Sequence, residues 1–207
     1  MTRRLAPLTL DNVDDLPSPC RGCAFWEQGR RQPDAMAKED WIATVLLESG
    51  RCGKVVYVDG TVAGFALYAP SRFVAGGPGL AGAAPSSDAM LLMTARVLPE
   101  YADGGLGRVL VQAVVKDVLR RRGVRALEAY GDLQGRELGC VLPVSFLTAV
   151  GFKTVRPHLR FPLLRLELHN VLAWRDEIEL ALERWIGQLR PEGAPTGAIS
   201  RSSPPGG

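Results

Sequence analysis

The feature that most constrains this chain is an abrupt change of backbone character near residue 105. The segment that starts at Ala95 reads ARVLPEYADGGLGRVLVQAVVKDVLRRRG, with glycines at 104, 105 and 107 and then neither glycine nor proline from 108 to 122. A helix that begins after such a corner exposes unpaired backbone N–H groups at the positive end of its dipole. The pattern therefore predicts an anion-binding site built from main-chain amides.

Composition excludes several classes of protein. The 207 residues carry 25 basic and 22 acidic side chains, a formal charge of +3. This small excess does not indicate nucleic-acid binding, and it is compatible with an anionic small-molecule ligand. No window approaches the ~20 apolar residues of a membrane span, and no N-terminal run matches the ~7–15 apolar residues of a secretory signal. We therefore expect a cytoplasmic protein that binds neither nucleic acid nor a membrane.

The four cysteines, Cys20, Cys23, Cys52 and Cys140, are expected to be free thiols, because disulfides are rare in cytosolic proteins. Cys20 and Cys23 have the C-x-x-C spacing of a metal-ligand pair. A structural zinc site needs a second pair, which the sequence does not offer. We therefore expect no metal, and we interpret CRGC as a turn beside packed thiols.

The remaining pattern predicts a mixed order of strands and helices. A hairpin is expected around Asp59-Gly60, since Asp-Gly suits a type I′ turn. The nearly all-apolar MLLMTARVLP predicts a central strand covered on both faces. The helix after the glycines then leads to VRALEAYG, a strand parallel to the previous one if the helix is a crossover. A short helix, LPVSFLTAVGF, two further strands and a terminal amphipathic helix, NVLAWRDEIELALERWIG, follow.

This order favours one α/β domain over residues 1–188, with a twisted mixed sheet and helices on both faces. Residues 189–207 have the composition of a disordered tail.

The loop Ser71–Asp88 is rich in glycine, alanine, proline and serine, and we expect it to be mobile and to shape a substrate pocket together with Phe25-Trp26-Glu27. Glu27 either faces that pocket or is simply solvated, which is the commoner state of an acidic residue.

Two familiar phosphate-binding motifs do not fit the glycine corner. The G-x-x-x-x-G-K-[ST] loop is absent, because Arg108 follows the last glycine. A complete G-x-G-x-x-G motif with its acidic partner is absent as well, so dinucleotide binding is not expected.

The segment VLPEYADGGLGRVLVQAV resembles the cofactor-binding motif of the GNAT superfamily of acyl-CoA-dependent N-acyltransferases, which reads V-x-P, then [RQ]-x-x-G-x-[GA], then a helix. Val97-Leu98-Pro99 matches the first part, and Gly105 and Gly107 match the two small positions. Ala102 stands where the family has Arg or Gln. SFLTAVGF is similar to the family's late helix, and the resemblance extends from about Cys52 to Leu168.

The resemblance implies a mostly antiparallel GNAT-like sheet whose central parallel pair splays into a V, between the strand ending at Val97-Leu98 and the strand from Ala126 to Tyr130. Acetyl-CoA would be the cosubstrate, with its pantetheine arm in that opening and its pyrophosphate on the glycine corner. The implied cofactor-binding residues are Val97, Leu98, Gly104, Gly105, Leu106, Gly107, Arg108 and Phe146.

The implied reaction is direct attack of a primary amine, on an unidentified acceptor, upon the thioester. Glu128 is the candidate base, and its alternative interpretation is an outward-facing strand carboxylate. The tyrosine that serves as acid in many relatives falls on Leu147, so Tyr130, Ser145 or Cys140 would replace it, or the thiolate leaves unaided. Two other functions stay open: a non-catalytic acyl-CoA-binding module, and a protein-interaction subunit, including a homodimer, that uses the terminal helix.

Overall fold

The computed structural model describes residues 2–29, 35–82, 84–134, 140–169, 180 and 182–186. Residues 182–186 are helical and fall within the predicted terminal helix. The rest of that predicted helix, apart from residues 180 and 182–186, and the predicted tail lie outside the described residues.

The described chain forms an eight-stranded sheet in the order β1-β2-β3-β4-β5-β8-β7, with β6 paired to β5. The pairs β4–β5 and β5–β6 are parallel, and the others are antiparallel. The prediction of a mostly antiparallel mixed sheet is confirmed. The strands are β1 Arg3–Pro7, β2 Gly53–Val58, β3 Thr61–Pro70, β4 Ala89–Val97, β5 Ala126–Asp132, β6 Leu142–Pro143, β7 Lys153–Arg156 and β8 Leu163–Glu167.

Helices cover both faces of this sheet, as predicted. Three short 3₁₀ helices, Leu10–Asp15, Ser71–Phe73 and Pro99–Gly104, join the larger elements. The α-helices are α1 Phe25–Gln28, α2 Ala35–Ser49, α3 Pro78–Ala81, α4 Leu106–Val118 and α5 Val144–Ala149.

Two hydrophobic clusters divide the core between the two faces. We name them the α4 face and the α2 face after the longest helix in each. The α4 face also holds Leu147 of α5, and the α2 face holds Trp26 of α1 and Tyr130 of β5. Leu127 and Ala129 point to the α4 face, so the alternation of a strand places Glu128, Tyr130 and Asp132 on the opposite face.

The central parallel pair separates after three residue pairs. Ala89, Met90 and Leu91 pair with Ala126, Leu127 and Glu128, and the ladder ends there. β4 continues to Val97 beside β3, while β5 continues to Asp132 beside β8 and then β6. The two strands are therefore joined at one end and open at the other, which confirms the predicted V.

Local backbone geometry agrees with the predicted turn. Asp59 and Gly60, between β2 and β3, have φ angles of 49° and 82°. Positive φ at both central residues is the requirement of a type I′ hairpin, and it explains why Asp-Gly stands there.

A buried carboxylate fastens α4 to the sheet. Asp117 accepts a hydrogen bond from the Tyr68 hydroxyl at 2.6 Å and forms ion pairs with Lys54 at 2.8 Å and Arg51 at 2.7 Å. Burial and the adjacent Asp117 carboxylate raise the pKa of Tyr68, so this hydroxyl stays protonated and donates. The charge of Asp117 is thus compensated by partners from β2, β3 and the segment before β2.

We expect Asp117→Asn to lower the free energy of unfolding by about 3 kcal/mol, because Lys54 is left largely buried without its counter-charge. Urea-induced unfolding measures the loss. The matched control is Glu48→Gln, which breaks the exposed pair with Arg72 and should cost only about 0–1 kcal/mol. Equal losses in the two variants would show that Asp117 does not fasten α4.

Candidate functional site

A cleft of about 460 Å³ opens where β4 and β5 have parted. Its walls come from the end of β4, from the start of α4, and from β6 with α5. It is lined by Ala95, Val97, Ala102, Gly105, Gly107, Arg108, Leu142, Pro143, Phe146, Ala149 and Val150. The structure thus brings together Val97, Gly105, Gly107, Arg108 and Phe146, which the sequence analysis assigned to one ligand.

The glycine corner forms the rim of this cleft. Gly105 has φ 69° and ψ 9°, the left-handed conformation that glycine adopts without strain, and α4 begins at the next residue. The N–H groups of Leu106 and Gly107 belong to the first turn, which lacks intrahelical acceptors. The Arg108 amide was expected to face the anion, but its N–H donates to the Gly105 carbonyl at 3.1 Å. The amide donors available to an anion therefore precede Arg108.

Gly107 lies directly against an aromatic ring across the cleft. A Cβ atom built on Gly107 would lie 3.0 Å from Cε2 of Phe146 and 3.8 Å from Cγ2 of Val97. Phe146 is partly exposed and packs at the edge of the α4-face core. A glycine is therefore needed here for close approach, and any larger residue would narrow the cleft.

The Arg108 side chain spans the mouth of the cleft. Its Nη2 donates to the Ala149 carbonyl at the end of α5, at 2.9 Å, and the residue is exposed. The guanidinium therefore stands next to the glycine corner, where it adds positive charge beside the helix terminus.

Three predicted cofactor residues do not line this cleft. Gly104 and Leu106 line a separate cavity of about 220 Å³ with Arg3, Tyr101 and Trp185, among others. The N–H of Leu98 donates to the Ala63 carbonyl at 2.9 Å, which continues the β3–β4 pairing. The candidate contacts with the expected cofactor are therefore main-chain atoms, at the glycine corner for Gly104 and Leu106 and at the end of β4 for Leu98.

β4 contains a bulge at Met93 that was not predicted from the sequence. The register with β3 steps from Tyr68–Leu92 to Leu67–Thr94, so Met93 is an extra residue in β4. An extra residue leaves a peptide group without its ladder partner and bends the strand. The bulge also turns Ala95 and Val97 toward the α4 face and into the cleft. Only the cross-strand register reveals it, and the local sequence MLLMTARV carries no signal for it.

Glu128 occupies the closed end of the V and is fully buried, at 0% exposure. Its oxygens accept from the Ser86 N–H at 2.8 Å and from Arg165 at 3.0 Å. Arg165 also binds both oxygens of Asp88, at 2.9 and 3.0 Å, and the Glu167 carboxylate at 2.6 Å. These carboxylates raise the pKa of Arg165, which stays charged. The expectation that Glu128 faces the open cleft needs correction, because the carboxylate is the buried partner of a guanidinium.

Tyr130 stands two residues beyond the last β4–β5 pair and is 1% exposed. Its ring stacks on Trp26 at a centroid distance of 6.4 Å. Burial, with a smaller effect of Glu128, raises the pKa of Tyr130 to about 12. The hydroxyl is therefore protonated at neutral pH, and Tyr130 can donate a proton or hydrogen bond but cannot serve as a base.

The other candidate acids occupy different surroundings. Leu147 is fully buried in the α4-face core, Ser145 is exposed, and Cys140 is half-buried. Cys20 and Cys23 are also half-buried. Burial raises the pKa of Cys52 to about 12, so this thiol is inert.

Within the described ranges, no group of three or more His, Cys, Asp or Glu side chains is arranged to hold a metal ion.

Comparison with known proteins identifies the family to which this chain belongs. A family model described as the acetyltransferase (GNAT) family matches residues 11–136, more than half of the chain. The chain therefore belongs to the GNAT acetyltransferase family. A search of curated protein sequences found no match.

Solved structures share the fold at low sequence identity. The yncA protein of Salmonella typhimurium, solved with acetyl-CoA, is 16% identical over 81% of this chain and 95% of its own, with a TM-score of 0.57. The aminoglycoside acetyltransferase AAC(6')-Ib, solved with coenzyme A, is 14% identical over 84% and 99%, with a TM-score of 0.57. The GphF GNAT-like decarboxylase, solved with isobutyryl-CoA, is 18% identical over 80% and 99%, with a TM-score of 0.53.

The family match supports acyl transfer as the general assignment. As for membranes, the portion of the chain that is described contains no helix with the length and apolar character needed to cross a bilayer.

The wall that carries Phe146 depends on close packing at Gly131 of β5. A Cβ atom there would lie 2.6 Å from Cγ2 of Val144 and 2.8 Å from Cδ1 of Leu164. We expect Gly131→Ala to lower the free energy of unfolding by about 1–3 kcal/mol through overpacking. The control Gly79→Ala, which meets nothing within 4 Å, should be neutral or slightly stabilising. Thermal unfolding compares the two, and an unchanged melting temperature for Gly131→Ala would contradict the packing argument.

Proposed function

We propose that this protein is an N-acetyltransferase that transfers the acetyl group of acetyl-CoA to a primary amine of an acceptor by direct attack. The observation that carries the proposal is the cleft between the parted strands, with a glycine corner and the start of a long helix at its rim. A phosphate group at a helix start is stabilised by main-chain donors and the dipole. The residues that line the cleft are mostly apolar, which suits the alkyl parts of a pantetheine arm.

Each wall of the cleft has its own part in binding. The amides of Gly105, Leu106 and Gly107 would hold the pyrophosphate, with the Arg108 guanidinium beside it. Peptide groups of β4 near Val97 have lost their β5 partner and would pair with the amides of the pantetheine arm. Phe146 would pack against the arm, since its ring already lies over Gly107. Ala102 contributes no side-chain donor, so the main chain supplies most of the phosphate contacts.

The chemistry requires a neutral amine, a polarised carbonyl and a leaving thiolate. The amine nitrogen attacks the thioester carbonyl carbon, the C–S bond breaks, and the nitrogen loses one proton to solvent or to a water held in the site. Tyr130 is protonated and lies just past the split, and it would donate a hydrogen bond to the leaving sulfur. Glu128 takes no part in this scheme, because its carboxylate is held by Arg165.

A second candidate function is binding of an acyl-CoA without acetyl transfer to an amine. It is favoured by Ala102 at the usual side-chain donor position and by the hydrophobic surroundings of Leu147. The GphF decarboxylase indicates that this fold can serve another reaction. The homodimer alternative has less support, because Leu182 of the terminal helix is buried in the α4-face core of its own chain.

We expect acetyl-CoA to bind the wild-type protein in isothermal titration calorimetry, and Gly107→Val to weaken binding at least about tenfold. The valine methyls would occupy space next to Phe146 and block the approach of the phosphate to the amides. Gly79→Val is the control, since Gly79 meets nothing within 4 Å and does not line the cleft.

Equal affinity of the wild-type and Gly107→Val proteins would remove the phosphate assignment. A turnover assay with the wild-type protein then distinguishes acetyl transfer from acyl-CoA binding without transfer. Acetylated amine, detected by mass spectrometry above the rate without protein, supports the transferase. Tight acetyl-CoA binding with no product across a broad amine panel supports the non-catalytic module.

A further inference from the structure

We propose that Cys20 and Cys23 form a reversible thiol–disulfide site, in which Cys20 reacts first and Cys23 completes the disulfide. This inference goes beyond the proposed transferase function and does not depend on it. It is based on three observations: the turn that brings the two residues together, the guanidinium that contacts Cys20, and the balance of charge at that contact.

The first observation is the turn that contains both cysteines. The Cys23 N–H donates to the Cys20 carbonyl at 3.3 Å, which closes a four-residue turn over CRGC. The Arg21 N–H donates to the Pro17 carbonyl at 3.2 Å, so the approach to the turn is fixed as well. The Cα atoms at the ends of such a turn lie less than ~7 Å apart, and a disulfide joins Cα atoms about 4.4–6.8 Å apart. The backbone is therefore close to the geometry that a disulfide requires.

The surroundings of the two side chains agree with this geometry. Cys20 and Cys23 both pack against the α2-face core, so both side chains point from the turn toward the same cluster. Both residues are half-buried, which leaves their sulfur atoms within reach of a small reagent. The pair thus combines closeness in the backbone with a shared, accessible environment.

The second observation is a cation at the Cys20 sulfur. Nη1 of Arg96 donates to Sγ of Cys20 at 3.2 Å. Arg96 lies in β4 opposite Phe65 of β3, and opposite residues of an antiparallel pair share a face of the sheet. Phe65 belongs to the α2-face core, so Arg96 also points to that face. The sheet positions the guanidinium, and the turn brings Cys20 to it.

The third observation concerns charge. Arg96 is half-buried, and among the described residues it forms no ion pair with a carboxylate. Removing a cation from water is costly unless an anion lies nearby. A thiolate at Cys20 would be that anion, and the thiolate is the form of cysteine that attacks a disulfide. Cys20 therefore has the surroundings of an attacking thiol.

The oxidant for the reaction is a low-molecular-weight disulfide such as oxidised glutathione. The Cys20 thiolate attacks one sulfur of the reagent, a mixed disulfide forms, and the first glutathione thiolate leaves and takes up a proton. Cys23 then loses its proton to solvent and attacks Sγ of Cys20, and the second glutathione thiolate leaves and is protonated in turn. Two protein thiols are oxidised to one disulfide while one glutathione disulfide is reduced to two thiols.

Metal binding is the other common use of a C-x-x-C pair. A structural zinc ion takes four protein ligands, and the described part of the chain has no group of three or more suitable side chains. Two cysteines are sufficient for a disulfide, so the described surroundings favour redox chemistry over metal binding at this pair.

The first test maps the disulfide in the wild-type protein. The protein is treated with oxidised glutathione, alkylated, digested with trypsin and analysed by mass spectrometry. Trypsin cleaves after Arg21, so a Cys20–Cys23 disulfide joins two peptides that separate on reduction. We expect this linked pair to form and to disappear with dithiothreitol. Cys52 is the internal control, because its pKa of about 12 keeps it protonated and unmodified.

A variant separates the two steps of the reaction. Cys23→Ser removes the second thiol while it keeps the turn and the Arg96 contact. We expect this variant to accumulate one glutathione on Cys20, because the mixed disulfide has no thiol to resolve it.

The second test measures the role of Arg96 through the rate at which iodoacetamide alkylates Cys20. We expect Arg96→Met to lower this rate about fivefold or more, and Arg96→Lys to retain most of it, since a cation near the sulfur stabilises the thiolate. Arg72→Met, in an exposed pair with Glu48, is the matched control and should keep the wild-type rate. In concentrated urea all four proteins should react alike at Cys20, because the contact exists only in the folded chain.

The wild-type protein alone also tests the inference if Arg96→Met fails to fold. Cys20 should then react faster than Cys23 in the folded protein, and this difference should disappear in urea. Three outcomes would overturn the inference: no linked peptides after treatment with oxidised glutathione, a disulfide to Cys140 in place of the Cys20–Cys23 pair, or folded Cys20 that reacts no faster than Cys23.

Discussion

The whole arrangement depends on the point at which two parallel strands stop exchanging hydrogen bonds. Pairing between β4 and β5 ends at Leu91 and Glu128. Beyond this point the peptide groups of β4 face a gap, while β5 pairs with β6 at Gly131 and Asp132. Backbone polar groups need partners, so such a gap persists only where something other than a strand can pair with it. The bulge at Met93 acts in the same place, because it rotates the end of β4 so that Ala95 and Val97 face the cleft. An open cleft thus arises from the geometry of the sheet itself.

The two faces of the sheet present different kinds of residue around this gap. On the α4 face lie the glycine corner, the helix start and Phe146, all suited to a long anionic ligand. On the α2 face lie Trp26, Tyr130 and a set of carboxylates, each matched by a cation. In the proposed transferase, a cosubstrate and an acceptor would approach from opposite sides and meet at the split, since direct transfer requires both reactants to be bound at once.

Much of this could be predicted from the sequence because its signals are local. The glycine corner, the Asp-Gly turn and the apolar β4 each depend on a few adjacent residues, and each is present as expected. Glu128 could not be placed in this way, because its surroundings come from Arg165 and Ser86, both about forty residues distant in the chain. For Glu27 the sequence left open whether the carboxylate faces a pocket or is solvated, because only the fold brings Lys38 to it. Register and ion pairing are properties of the assembled sheet.

Arg165 stiffens the closed end of the V, where β4 and β5 are still paired. Arg165 lies in β8, and its guanidinium binds Glu167 of the same strand, Glu128 of β5 and Asp88 just before β4. It therefore links three neighbouring segments of the sheet. Its planar donors allow little sliding of one segment past another. These contacts at the paired end of β4 and β5 therefore oppose further separation of the two strands toward the middle of the sheet.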